Sequence, residues 1–234
     1  MVRKIWLVTV ALCLFQTYAF AYCKNLPRLV CAEYSNSRLV VIASLVRTKH
    51  VMPKSQDEPD GFIYTLETAR ILKGETGQTF QIYEENSSGR APFFWVKGET
   101  YLLFLNSNPD GTWWLYGCGN SAPLKGAGYA LRAIDAMKSR KGGLVQGLIR
   151  GENLNLALER LSVEVRGDQR SYRAVTDKDG RFKIHVPAGH YVVRVKKEGW
   201  KFETNPLMTY EDPGNITIED GGCAQVQFEA HASK

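Results

Sequence analysis

The sequence predicts a mainly β protein in two units, a five-stranded barrel with a terminal helix and then a seven-stranded antiparallel sandwich, and three observations carry that prediction. Between Ala174 and Val195 apolar residues recur at period two. Phe182, Ile184 and Val186 share one face, Arg181, Lys183 and His185 share the other, and Tyr191, Val193 and Val195 resume the pattern after the Pro187–Gly189 turn. Just before the first of these runs Asp177-Lys178-Asp179-Gly180 predicts a hairpin reversal, since Asp bonds its own backbone and Gly accepts positive φ without strain. Second, five strand-like runs lie between Leu39 and Tyr116. Third, Lys138 to Gly143 (Lys-Ser-Arg-Lys-Gly-Gly) interrupts all periodicity and separates the two regions.

The first residues read as an export signal. Arg3 and Lys4 make a basic start, Ile5 to Phe15 an apolar run too short to span a bilayer comfortably, and Ala19-Phe20-Ala21 a small-x-small cleavage site. Cleavage after Ala21 leaves Tyr22 first, with Cys23 behind it; a lipid anchor on Cys23 is the competing reading, and Tyr22 is bulky for the residue before a lipidated cysteine. The exported chain then has no transmembrane span.

Removing Arg3 and Lys4 takes the 30 basic residues to 28 against 24 acids, leaving about +4. That charge is spread along the chain, with Lys138 to Lys141 and Lys196-Lys197 as its dense spots, so no nucleic-acid stripe is expected. Cys13 leaves with the signal, and Cys23, Cys31, Cys118 and Cys223 remain. In an oxidising compartment these predict two disulfides in one of three connectivities, each standing in for part of a small domain's core. No Cys-x-x-Cys pair or nearby His-x-x-x-His favours zinc instead.

In the first unit, Leu39 to Val46 is almost continuously apolar, as a central strand is. Phe62 to Leu72, Thr79 to Tyr83, Gly98 to Leu105 (starting from a turn) and Trp113 to Tyr116 complete the five strands. Ala127 to Arg140 predicts a closing helix, with Leu131, Ile134 and Met137 on one face and cations gathered toward its C-terminus. Five strands, one helix and cysteine staples suit a closed barrel of the OB type. Cys23, Cys31, Val41-Ile42-Ala43-Ser44-Leu45-Val46, Leu72-Lys73-Gly74, Gly98-x-x-Tyr101-Leu102 and the late Cys118 together resemble a netrin-like domain, the barrel of tissue inhibitors of metalloproteinases and their bacterial relatives. The resemblance covers most of residues 22–140. It departs from the family where a first cysteine would fall on Ala21, and where a mid-domain cysteine is missing around Gly89 to Phe94. It implies a Cys23–Cys118 bridge, leaving Cys31 and Cys223 for each other or free.

The second unit, residues 144–230 after a linker at 141–143 and before a tail at 231–234, resembles a carboxypeptidase regulatory-like, transthyretin-type sandwich. The residues that carry this are Val145-x-Gly147-x-Ile149, Leu161-x-Val163-x-Val165, Thr176-Asp177-x-Asp179-Gly180-x-Phe182, Pro187-x-Gly189-x-Tyr191 and Gly199-Trp200. The pairing of the two modules implies an exported protein of bacterial type, placed in the periplasm, at the cell surface or outside the cell.

For chemistry, the sequence offers no Gly-x-Ser-x-Gly elbow, His-Glu-x-x-His pair, Cys-His couple or phosphate-cradling glycine run. Glu67, Glu84 and Glu85 are not placed for paired acid–base work, and Asp177 with Asp179 falls short of the oxygen ligands a calcium loop needs. His185 and His190 read as surface residues. The expectation is a non-enzyme without cofactor or metal, serving as a binding or scaffolding protein for a protein or glycan partner outside the cytosol. Inhibition of a secreted metalloprotease is the first alternative; the family mechanism needs the first cysteine at residue one, and Tyr22 sets the amine of Cys23 one residue off. Carbohydrate binding is the second, with Trp95, Trp113, Trp114 and Trp200 as candidate stacking platforms.

Overall fold

The computed structural model describes residues 28–52, 60–86, 93–151, 158–204 and 211–232. The signal segment, Tyr22 and Cys23 therefore lie outside the described residues.

The first unit is a closed barrel. Strands β1 (Leu39–Val51), β2 (Gly61–Lys73), β3 (Thr79–Glu85), β4 (Thr100–Ser107) and β5 (Trp113–Leu115) run in the order β1-β2-β3-β5-β4, and pairing of β1 with β4 closes the ring. A two-residue strand, β6 (Ala122–Pro123), adds to β4. Every ladder is antiparallel except β3–β5, which meets in parallel at Ile82 and Trp113. All five predicted strands are present.

The continuous apolar run of β1 has a simple cause: both its faces are covered. Leu39, Val41, Ala43 and Leu45 fill the barrel interior with Leu66, Ile82, Leu103 and Leu105. Val40, with Leu102 and Phe104 of β4, points outward and is buried under helices α1 (Val30–Asn36) and α2 (Gly128–Met137), against Val30, Ala130 and Ile134. Helix α2 is the predicted closing helix.

Helix α1 was not predicted, and its sequence shows why. Seven residues start after Leu29 without a side-chain cap, so no propensity signal marks it. Tertiary contacts hold it instead. Lys73 Nζ donates to the carbonyls of Tyr34 and Ser35 at 2.7 and 2.6 Å, satisfying acceptors at the helix C-terminus, and Tyr34 Oη donates to the Leu72 carbonyl at 2.9 Å. Burial pulls the Lys73 ammonium below its ordinary pKa, with Glu219 acting in the opposite sense. The Leu72-Lys73-Gly74 motif thus locks α1 to the end of β2.

The second unit is a sandwich of two four-stranded sheets. One has the order β10 (Arg181–Val186), β7 (Gly143–Gly151), β14 (Cys223–Ala232), β12 (Trp200–Glu203). The other has the order β13 (Ile216–Ile218), β11 (Gly189–Val195), β8 (Ser162–Gly167), β9 (Ser171–Val175). Val145, Ile149, Val163, Val165, Phe182, Val193, Val226 and Phe228 fill the space between them.

The sandwich differs in detail from the expected one. Eight strands are described, and β7 with β14 is a parallel pair, because β14 returns from the far end of the unit to lie beside β7 in the same direction. The Asp177 to Gly180 reversal is also not a hairpin turn. Asp177 Oδ1 accepts the N–H groups of Asp179 and Arg181, both at 2.9 Å, and Gly180 sits at φ +73°. The turn is the expected Asx type, yet it carries the chain from β9 in one sheet to β10 in the other. The Pro187–Gly189 turn then returns it to β11 in the first. Period-two alternation is identical on both sheets, so the pattern cannot reveal which partner a strand takes.

Candidate functional site

The two units meet at a covalent and polar junction. Cys31 on α1 is bonded to Cys223 at the start of β14, across 192 residues, with Cα atoms 5.5 Å apart. The expectation that each disulfide staples one domain is corrected here, for this one joins the barrel's helix to the sandwich's last strand. Cys118 is disulfide-bonded as well. Cys23, the partner that the netrin-like resemblance gives it, lies outside the described residues.

Hydrogen bonds surround the Cys31–Cys223 bond. The Leu29 N–H donates to Gln225 Oε1 at 2.9 Å, Asn36 Nδ2 donates to Glu211 Oε1 at 2.7 Å, and the Gln225 N–H donates to Glu211 Oε2. Glu33 Oε2 accepts both the backbone N–H and the side-chain amide of Asn120, at 2.6 and 2.7 Å. Burial raises the Glu33 and Glu211 carboxyls above the ordinary glutamate value, and their hydrogen bonds together with nearby Arg28 hold the rise back. On the linker, Asp220 accepts the Gly142 N–H at 2.7 Å and pairs with Lys141 at 2.9 Å. The junction is rich in matched polar groups, which makes it specific in register.

The barrel presents an aromatic mouth. Trp95 stacks on Tyr64 with centroids 4.7 Å apart, and packs against Phe93 at 4.6 Å and Tyr101 at 5.0 Å. Its indole N–H donates to the buried Glu84 at 2.9 Å, while the Val96 N–H donates to the Tyr101 hydroxyl at 2.6 Å. Desolvation, first among several causes, lifts the Tyr101 phenol above its ordinary value. Burial alternates along residues 93–96. Phe93 and Trp95 plug the barrel, whereas Phe94 and Val96 project into solvent at 72% and 55% exposure.

The four indoles do not form one platform. Trp95 is half-buried in the mouth, Trp113 packs on the same barrel core, and Trp114 faces out at 38% exposure. Trp200 lies on the sandwich, against its core, with Lys197 Nζ 4.8 Å from its ring centroid. His185 and His190 are exposed, and His190 Nδ1 lies 3.1 Å from Thr217 Oγ1. Among the described residues no group of three or more His, Cys, Asp or Glu could hold a metal ion, and no helix is long and apolar enough to cross a membrane.

A polar cleft of about 380 Å³ opens between the Gly167–Arg170 and Pro187–His190 turns, with Tyr172 and Tyr191 in its wall. It adjoins a second cleft, of about 340 Å³, lined by Arg166, Val192, Arg194 and Asn215. The sequence reading missed this region. Its residues come from several strands, and only strand register brings them together.

No protein-family model matches the chain, and no curated protein matches it. Among solved structures, it is similar to the TIE protein of Bacillus anthracis, with 10% identity and a TM-score of 0.31, covering 82% of this chain and 40% of that one. It is also similar to a minor pilin of Streptococcus agalactiae, with 13% identity and a TM-score of 0.30, covering 85% of this chain and 84% of the pilin.

Proposed function

We propose that the chain is an exported, non-catalytic binding or scaffolding protein of the cell envelope or extracellular space, a netrin-like barrel carrying a carboxypeptidase regulatory-like sandwich. The observation that carries this reading is the Cys31–Cys223 bond between the units. A disulfide that crosses a domain junction persists only where thiols are oxidised, and it fixes the spatial relation of two surfaces rather than supporting a core. That suits a protein that presents surfaces to partners. The basic-apolar-small pattern of residues 1–21 supports the same compartment.

Cell fractionation tests the proposal. The full chain is expected in the envelope or the medium, with Cys31 and Cys223 open to alkylation only after reduction. A chain retained in the cytosol with both thiols free overturns it.

A further inference from the structure

We infer that the outer face of the β13-β11-β8-β9 sheet binds an anionic polysaccharide, with acid groups of the polymer on Arg166, Arg173 and Arg194. This inference rests on reading the chain as an exported binding protein.

The register assembles the face. Arg194 of β11 lies opposite Glu164 of β8, and Glu164 lies opposite Arg173 of β9. Arg166 stands two residues along β8, between Val192 and Ser171 on its neighbours. Strands about 4.8 Å apart and a rise of about 3.4 Å per residue place the Arg166 Cα about 8 Å from those of Arg173 and Arg194, which are about 10 Å from each other. All three arginines are exposed, and among the described residues none forms an ion pair. Glu164 is the one carboxylate in their rows, so three positive charges face one negative charge. In the adjoining turn Asp168 and Arg170 offset each other in sign.

The layout of the face points to the ligand class. Arginine side chains are long and flexible, and three of them spread over three strands beside an elongated cleft can meet in turn the acid groups that a polymer carries on successive sugars. Arginine suits carboxylate and sulfate alike, because its planar fork bonds both oxygens of such a group. The two clefts share Gly167, Asp168, His190 and Tyr191, so they form one path running from the turns onto the arginine rows. Along that path His190 and Asn215 are exposed and can bond sugar hydroxyls. Single-stranded nucleic acid would call for stacking aromatics, and among the described residues the exposed aromatic ones, Phe94, Trp114 and Tyr129, belong to the barrel unit.

The test uses the oxidised, processed chain titrated with heparin (sulfated), polygalacturonate (carboxylated), neutral dextran, single-stranded DNA and phosphatidylglycerol vesicles. Heparin or polygalacturonate is expected to bind, the tighter of the two naming the acid group, with dextran inert. The triple variant Arg166→Gln, Arg173→Gln, Arg194→Gln is expected to weaken binding roughly 30-fold, about what losing several charge-assisted contacts amounts to. The control pair Arg181→Gln, Lys183→Gln, on the opposite sheet, is expected to stay within about twofold, since a rim charge outside the site acts only through the long-range field. Equal loss in the control, no loss in the triple variant, or DNA or vesicles bound as tightly as the acidic polymer overturns the inference. So does failure of both acidic polymers to bind a chain that is exported and correctly bonded, an outcome that leaves the proposed function intact.

Discussion

On the β10-β7-β14-β12 sheet, Leu148, Cys223, Gln225 and Gln227 point away from the sandwich core and are nevertheless buried. On the opposite sheet the outward positions include Arg166, Arg173, His190 and Arg194, all exposed. Both are faces of four-stranded sheets, on which successive side chains point to opposite sides. They differ in what covers them: α1 lies on the first through Cys31, Leu29 and Asn36. Side-chain choice follows that difference. Uncharged glutamines tolerate burial at a junction better than charged groups do, and the guanidiniums are kept where water solvates them. One face is committed to the barrel, and the other remains available to a partner.

The largest expected effect comes from cutting the link on the committed face. Replacing Cys31 and Cys223 together by Ala releases a 192-residue separation and should cost about 4 kcal/mol, a loss visible in chemical denaturation. A loss under about 1 kcal/mol would show that the polar junction holds the units without the bond.

Next comes Gly221→Ala. Gly221 has φ +76°, and an added Cβ would lie 2.1 Å from the Met137 carbonyl oxygen at the end of α2. Strain and clash together should cost about 3 kcal/mol. Gly199 has a similar φ, +72°, with nothing within 4 Å of its added Cβ, so Gly199→Ala should cost only about 1 kcal/mol. Equal costs at the two sites would place the α2 contact outside the energetics of the junction.

The pH dependence sharpens the comparison further. Glu33 has a raised carboxyl in the fold, chiefly through desolvation. Protonation is therefore easier in the folded state. The resulting stability is fully present below the ordinary value of 4.5 and is lost as pH rises through the folded value. Glu33→Gln can keep both bonds from Asn120 while removing the titration. Wild type minus variant, followed by thermal unfolding, should fall as pH rises above 4.5. A flat difference would contradict the assignment of the cost to burial of Glu33.

The smallest effect is expected on the open face. Arg166→Gln, Arg173→Gln and Arg194→Gln should each change unfolding stability by less than about 0.5 kcal/mol, since exposed residues without ion pairs contribute little to the fold. A loss above about 2 kcal/mol in any of them would mean that this face, too, is structurally engaged.

Much of the barrel was legible in the sequence, for reasons that particular residues make plain. Leu39 to Leu45 is doubly buried and reads as a continuous apolar run, and the helix ending at Met137 has a clean apolar face. Helix α1 was not legible, because Lys73, Tyr34 and Cys31 fix it through partners distant in sequence. In the sandwich β7, β8, β10 and β11 announced their alternation, β10 for example with Phe182 and Val186 inward and Arg181 and Lys183 outward. Its sheet membership depends on register, which alternation leaves open. The junction was hidden for a related reason: Gln225 and Gln227 alternate with Ala224, Val226 and Phe228 as solvent-facing residues do, yet the first unit covers part of their face. The arginine face was unreadable until β8, β9 and β11 were seen side by side.

Peptide mapping of the exported chain by mass spectrometry, under non-reducing conditions, tests the committed face most directly. A peptide containing Cys31 joined to one containing Cys223, separating on reduction, is the predicted result. Cys31 found joined to Cys23 or Cys118, with a free thiol at Cys223, would contradict it.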